Sequence, residues 1–377
     1  MSRIYLPHAD QFDLTNENLA KIANALAASI DLSTWAGIQK AVRVGVAPDL
    51  IPVGTQLKVT HSVYGDMLFD VVAHNHFKSA YDKNASTMTL MSHGVIAKVQ
   101  FDAPEAFYYA EDVLAAGTYN FTIATGFASW QAGTYQFTLT QDVPAGGQLS
   151  IGGSADTSMT SSSVKSFANR TTDTAIETVS ITQGAEGQSL GTLGVELNHL
   201  HRVSYGSNNY KESAIRQFLN SSSAAGSVWK PQTKFDRPPS WSATLGGFPV
   251  GLDSEFLSVV GKVFVPCAAN GKYESPDSTT ILKEKYDITD KFCLASLMEI
   301  CGDVVDTAAD NSSTFLYYNG ADDVERSKYK GDSATAWWTR SAHSWTASDS
   351  RSITSMGSPL QARAREVIGV VPVCTIV

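Results

Sequence analysis

At 377 residues and 40.5 kDa the chain exceeds the size at which a single hydrophobic core usually stops growing, so two or three domains are expected. Hydrophobic residues make up 43% and charged ones 17%, which gives enough apolar material for a globular core and fewer surface charges than usual. A formal charge of -9 without any long basic run excludes a general nucleic-acid binder, because phosphate binding rests on clustered Lys and Arg.

The N-terminal stretch MSRIYLPHAD lacks the basic start, apolar core and cleavage site of a secretory signal, and no run of about eighteen apolar residues marks a membrane span. Cytoplasmic synthesis without a signal peptide is therefore expected. Residues 15–28 place Leu19, Ile22 and Leu26 at helical spacing behind Thr15 and Asn16. A second helix is predicted with Ser33 or Thr34 as its cap, Trp35, Ile38 and Val42 on one face and Gly45 as its stop. From Gly54 the pattern changes to strands, TQLKVT and MLFDVVAH, with a Gly-Asp turn between them.

Between about 101 and 194 the composition shifts toward Gly, Thr and Ser. AGTYNFTI (116–123) nearly repeats as AGTYQFTL (132–139), each with one apolar face at period two. Further strands follow in QDVPAGGQLSIGG and TAIETVSIT, so an antiparallel β-sandwich-like unit is predicted here. Tyr119, Phe121, Tyr135 and Phe137 suit a core at this spacing better than a carbohydrate site. Beyond it, Asn208 or Asn209 is expected to cap a helix over 210–220, DSEFLSVVGKV supplies another helix, and VIGVVPVCTIV closes the chain as an apolar strand.

Three patterns bear on chemistry. His74-Asn75-His76 and His199-Leu200-His201 each pair two imidazoles without a third ligand at fitting spacing, so hydrogen-bonded histidines are the better reading than a metal. Cys267, Cys293, Cys301 and Cys374 form no CxxC pair, and buried free thiols are expected. No GxSxG elbow, P-loop or GxGxxG occurs, and nothing in the sequence asks for an enzyme. Residues 337–377 carry four basic side chains (Arg340, Arg351, Arg363, Arg365) against two acidic ones (Asp349, Glu366), so an acidic protein has a locally basic end. There, small residues separate bulky and chemically diverse ones without a fixed period, which is the composition of a recognition patch or of a long solvated loop.

The segments YGSNNYKESAIRQFLNSSSAAGSVWKPQTKFDRPP (205–239), DKFCLASLMEI (290–300), WWTRSA (337–342) and the closing GVVPVCTIV resemble a family of prophage-encoded proteins with a C-type-lectin-like fold. Retroelement-diversified variable proteins are among its members. WAGIQKAVRVGVAPDLIPVGTQLKV and the AGTYxFT strands carry the resemblance over nearly the whole chain beyond the first thirty residues.

The resemblance implies an α+β architecture. A discontinuous C-type-lectin-like domain would comprise 35–100 and 195–377, holding an inserted antiparallel β-sandwich-like domain (101–194). A short N-terminal helical segment (1–34) would serve attachment or oligomerisation, and the first and last strands would pair. It further implies a variable ligand-binding region over 337–377, with His343, Ser344, Trp345, Ser348, Asp349, Ser352, Thr354, Leu360, Arg363, Arg365 and Val367 as the varied positions. Met356, Gln361 and Glu366 fit less well, because an AAC codon changed only at its adenines cannot encode them. Trp337, Trp338 and Arg340 match the constant entry to the region.

The expected function is that of a phage receptor-binding or tail-tip adhesin, carried on the virion, that recognises a host-surface protein or glycan. A homo-oligomer is expected, a trimer by analogy with fibres, with neither nucleic-acid binding nor membrane insertion. No catalytic residue, metal or cofactor is expected, since the Glu-Pro-Asn, Gln-Pro-Asp and Trp-Asn-Asp triplets of calcium-dependent lectins are missing. The alternatives are a structural baseplate or fibre protein and a formylglycine-generating-enzyme-like or carbohydrate-active enzyme. The apolar setting of Cys293 and Cys301 weakens the cysteine-dependent form of the latter.

Overall fold

The computed structural model describes residues 29–103, 106–110, 112–123, 132–145, 147–152, 177–193, 200–204, 208–232, 238–270, 283–302, 312–343 and 349–377. The predicted helix over 15–28 lies outside them. The first described element, α1 (Trp35–Arg43), forms as the sequence predicts. Thr34 caps it by accepting from the Gly37 N–H, Ile38, Ala41 and Val42 are buried, and Gly45 ends it in the left-handed region at φ 81°. A single turn, α2 (Ala47–Leu50), follows.

The hairpin β1 (Gln56–His61) and β2 (Gly65–His74) turns through 62–64, so Gly65 and Asp66 open β2 instead of making the turn. After β3 (Lys78–Ser79) come β4 (Met88–Ser92) and β5 (Ala97–Gln100). The chain then enters a second unit: β6 (Ala106–Ala110), β7 (Gly117–Ile123), β8 (Gly133–Leu139), β9 (Gln148–Gly152), β10 (Glu177–Ser180), β11 (Thr182–Gln183), β12 (Gln188–Leu193) and β13 (Leu200–Ser204). It returns through α3 (Ala214–Asn220) and α4 (Ser254–Val259) to the hairpin β14 (Val263–Asn270) and β15 (Lys283–Asp290). Then follow β16 (Phe292–Leu294), α5 (Leu297–Cys301), α6 (Asp323–Arg326), β17 (Lys328–Lys330) and β18 (Ser333–Thr335). The last strands are β19 (Trp337–Ala342), β20 (Asp349–Ile353), β21 (Pro359–Arg363), β22 (Val367–Val370) and β23 (Pro372–Ile376).

Strands cover 40% of the chain and helices 17%, which overturns the expected α+β class: the fold is mainly β, and no lectin fold is identified in it. The physical reason lies in the helices, several of which are one or two turns long and serve as capped corners between strands. Two further expectations fail. The last strand, β23, pairs with β4 and β16 and not with the first strand, because its five residues are all buried and need a neighbour on each side. The second unit is not purely antiparallel, since β10 runs parallel to β9 and β12 parallel to β7. Such pairings join segments far apart in sequence, where local alternation carries no information about direction.

Two apolar clusters hold the chain together. One draws on residues from Ile38 to Phe101 and from Tyr210 to Ile376. The other is confined to 110–190 and is built from two four-stranded sheets, β10-β9-β6-β13 and β11-β8-β7-β12. The repeated AGTY strands pair directly as β7 and β8. Their aromatic rings are buried and stack across the pair, Tyr119 on Phe137 at 5.9 Å and Phe121 on Tyr135 at 6.1 Å between centroids. The helix expected over 210–220 begins only at Ala214, capped by Ser213. Asn208 and Asn209 are buried in tertiary contacts instead: Asn208 donates to Asp349 O, and Asn209 Oδ1 accepts from the Tyr286 hydroxyl at 2.6 Å.

Candidate functional site

The C-terminal region folds as one five-stranded sheet of order β21-β20-β19-β22-β5. Its central strand reads WWTRSA and is buried along its whole length. Trp337 and Trp338 are fully buried, and each ring N–H meets a backbone carbonyl, that of Arg326 at 3.3 Å and that of Val99 at 2.9 Å. Arg340 is fully buried too. Its guanidinium grips Glu299 with two bonds of 2.5 and 2.7 Å, and donates to the carbonyls of Pro266 and Leu294 and to the Ser312 hydroxyl.

Glu299 closes the capping box of α5 with Ser296 and also contacts His76 Nε2 at 3.1 Å. Burial alone would push this carboxyl up, but the Arg340 charge and the bonds from Arg340 and His76 outweigh it and hold the pKa at about 2. One of the four basic groups at the C-terminal end is therefore neutralised in the interior. The exposed surface is correspondingly less basic than the sequence suggests.

Three of the expected ligand-binding residues gather at one end of this sheet, and Arg365 and Val367 follow Arg363 on the crossing to β22. His343 follows β19, Asp349 opens β20, Arg363 closes β21 and lies opposite Asp349, and Arg365 and Val367 lead into β22. The His343 N–H donates to Asp349 O, and the Asn208 amide donates to the carbonyls of both residues at 3.4 and 3.0 Å, tying the two together. The 363–367 crossing is held by Glu366 N–H to Arg363 O and by the Gln100 amide to Arg365 O. Arg363, Arg365 and Val367 are exposed, whereas His343 and Asp349 are half-buried. Ser344, Trp345 and Ser348 lie outside the described residues.

The remaining three positions sit elsewhere. Leu360 is half-exposed on the edge strand, toward the other end. Thr354 is half-buried and its hydroxyl accepts from the N–H groups of Met356 and Ser358, so it shapes the β20–β21 turn. Ser352, expected among the exposed positions, is instead buried on an inner strand, where its hydroxyl donates to the Leu360 carbonyl. β19 is buried along its whole length, whereas β20 alternates, with Asp349 and Arg351 half-buried and Ser350 and Ser352 buried.

A second feature carries no sequence motif. A cavity of about 750 Å³ opens between β2, the 92–96 loop and the segment 325–331, with Tyr317 also in its wall. Beneath it Asp70 is fully buried, and its carboxylate accepts from His93 Nδ1 at 3.0 and 3.1 Å and from the Gln56 amide at 3.0 Å. The ammonium of Lys328, itself buried, lies 3.6 Å from the same carboxylate and donates to Ser92 O. Burial draws the Lys328 pKa below the usual lysine value, against the opposing pull of Asp70. No local signal betrays this cluster, because its members stand at positions 56, 70, 93 and 328.

The histidine pair 74/76 is engaged in hydrogen bonds, His74 to the Ile51 carbonyl and His76 to Glu299. The side chains of His199 and His201 are outside the described residues. Among the described residues no group of three His, Cys, Asp or Glu is placed to hold a metal. All four cysteines are free thiols, and burial raises the pKa of Cys293, Cys301 and Cys374, the opposite of what a reactive thiolate needs.

No curated protein and no solved structure matches the chain. Residues 176–377 match a family described as a domain of unknown function, DUF6273, a span that contains the entire C-terminal sheet except β5. Because that match covers more than half of the sequence, the chain belongs to the DUF6273 family.

Proposed function

We propose that the chain is a non-enzymatic binding protein, a phage receptor-binding or tail-tip adhesin diversified by a retroelement. It grips a host-surface protein or glycan with the surface that carries His343, Asp349, Arg363, Arg365 and Val367. The observation that supports this reading is the joint exposure of Arg363, Arg365 and Val367 on a crossing whose backbone is held by hydrogen bonds, in a sheet whose central strand is buried along its whole length. A rigid sheet presents such side chains without the ordering cost that a free loop would incur on binding. Forked donors of Arg and the adjoining apolar Val suit a protein loop or an anionic glycan.

The test is saturable binding of the labelled protein to a panel of bacterial cells. Replacing Arg363 and Arg365 together by Ala should weaken it at least about tenfold while stability changes by less than about 0.5 kcal/mol, as for ordinary surface positions. Unaltered binding would reject the site. A reverse-transcriptase gene beside an adenine-rich near-copy of the last codons would establish diversification, and its absence would remove the retroelement from the reading.

One observation favours a second reading, a structural virion contact. At the opposite end of the sheet Met356 and Leu360 are exposed together with Val324, on the short helix whose Asp323 the Ser358 hydroxyl contacts. If this patch joins copies of the chain, Met356→Asp with Leu360→Asp should convert an oligomer into a monomer by light scattering.

A further inference from the structure

We propose that the cavity over Asp70 and His93 binds a small, uncharged, hydroxylated ring of monosaccharide size. This inference is independent of the surface proposed above: the cavity adjoins Ile96, just before β5, whereas that surface lies beside Gln100 at the strand's far end, roughly 13 Å away at about 3.3 Å per residue.

Volume comes first. About 750 Å³ lies within the range of roughly 300–1,000 Å³ usual for small-molecule sites and is far more than one or two waters need. The walls are mixed. Tyr64, Tyr317 and Tyr329 offer ring faces, and Met67, Val95 and Ile96 add aliphatic surface, a lining on which the C–H face of a saturated ring can lie.

The polar groups then select the ligand. The Asp70 carboxylate can only accept, so the His93 nitrogen that contacts it, Nδ1, carries the proton. Nε2 is thereby turned away from the buried carboxylate that orients the ring, and the His93 side chain is half-exposed. A ligand hydroxyl, which can both donate and accept, suits this nitrogen.

Charge points the same way. Each ionic group in the wall already has a partner: Lys328 has Asp70 and Ser92 O, Lys330 has Ile96 O, Asp66 has Lys58 at 2.6 Å, and Glu325 has the Asp322 N–H at 2.8 Å. Lys330 and Glu325, bonded to backbone groups, keep opposite charges, so a ligand of either sign would meet like as well as unlike charge and lose its hydration, a cost that a neutral polyol avoids. The site also has a fixed floor. The Val95 N–H donates to Tyr329 O, and a Cβ at position 94 would stand 2.9 Å from that oxygen, so Gly94 permits the close approach of the loop to β17.

The experiment is ligand-observed and 1H–15N NMR titration of the full chain with neutral methyl glycosides of glucose, galactose, mannose and N-acetylglucosamine. Glucuronate and glucosamine serve as charged counterparts. At least one neutral glycoside should bind saturably, and the charged sugars should bind at least about tenfold more weakly. His93→Ala and Tyr329→Ala should each weaken that binding at least about tenfold, while Arg363→Ala with Arg365→Ala should leave it unchanged. Tyr329 is half-exposed on a two-stranded hairpin, so its variant keeps the test usable if removal of His93 unsettles Asp70. Absence of saturable binding by every neutral glycoside, equal binding of the charged sugars, or indifference to both variants would overturn the proposal.

Discussion

Replacing Arg340 by Met strands a carboxylate in the interior. Glu299 and Arg340 are both fully buried, and the pair is joined by two charge-assisted bonds of 2.5 and 2.7 Å. Removing one member of such a pair typically costs about 3–5 kcal/mol, because the other is left as an uncompensated charge. The titration of Glu299 gives a similar figure. A fall from the ordinary 4.5 to about 2 corresponds to roughly 3 kcal/mol of preference for the charged form in the folded protein. Urea denaturation at pH 7 should therefore show Arg340→Met less stable by about 3–5 kcal/mol. Adding Glu299→Gln should recover part of the loss, since Gln still caps α5 through Ser296 and carries no charge.

The sign with pH follows from the depressed carboxyl. The contribution is complete above pH about 4.5 and is lost as pH falls through about 2. The wild type should therefore lose its advantage over Arg340→Met across that window. A loss below about 1 kcal/mol for Arg340→Met, or a double variant no more stable than the single one, would refute the reasoning.

Other positions give sharp outcomes. Gly357→Ala should destabilise by more than about 1 kcal/mol in the same denaturation assay, because φ there is 87° and the new Cβ would fall 1.4 Å from the Asp323 carbonyl oxygen. Phe121→Ala should cost about 3–5 kcal/mol in the second apolar cluster, read by calorimetry as a shift of one transition while the one from the main cluster stays in place. Thiol titration of the native protein at pH 8 should leave Cys293 and Cys374 unreacted until denaturant is added, with Cys301, the one partly exposed thiol, reacting first.

Local elements were legible in the sequence where a local cause makes them. The helix at Trp35 follows from Thr34, Gly45 and the spacing of Ile38 and Val42, and the AGTY strands follow from strict alternation. What could not be read was set by distant partners. Asn208 and Asn209 have the chemistry of caps but are taken up by Asp349 O and the Tyr286 hydroxyl, so the helix waits for Ser213. Ser352 looks like a surface serine until it is seen on the buried face of β20 with Ser350. The cluster of Asp70, His93 and Lys328 has no motif, because β2, β4 and β17 bring it together only in three dimensions.

The same contrast explains how one short stretch can be rigid and chemically varied at once. In 337–377 the residues that hold the backbone are the two tryptophans and Arg340, each pinned by hydrogen bonds to carbonyls outside the stretch. Their partners, Arg326, Val99, Pro266 and Leu294, come from four separate segments. The frame of the sheet is thus fixed from outside, whereas Arg363, Arg365 and Val367 are exposed. Substitution at those three should change what the surface touches while leaving the melting temperature within a few degrees, whereas a substitution at Trp338 or Arg340 should lower it sharply. A library randomised at the three exposed positions, sorted first for expression and then for binding, would separate the two classes. Strong selection at 363, 365 and 367 in the expression sort alone would show that they carry the fold after all.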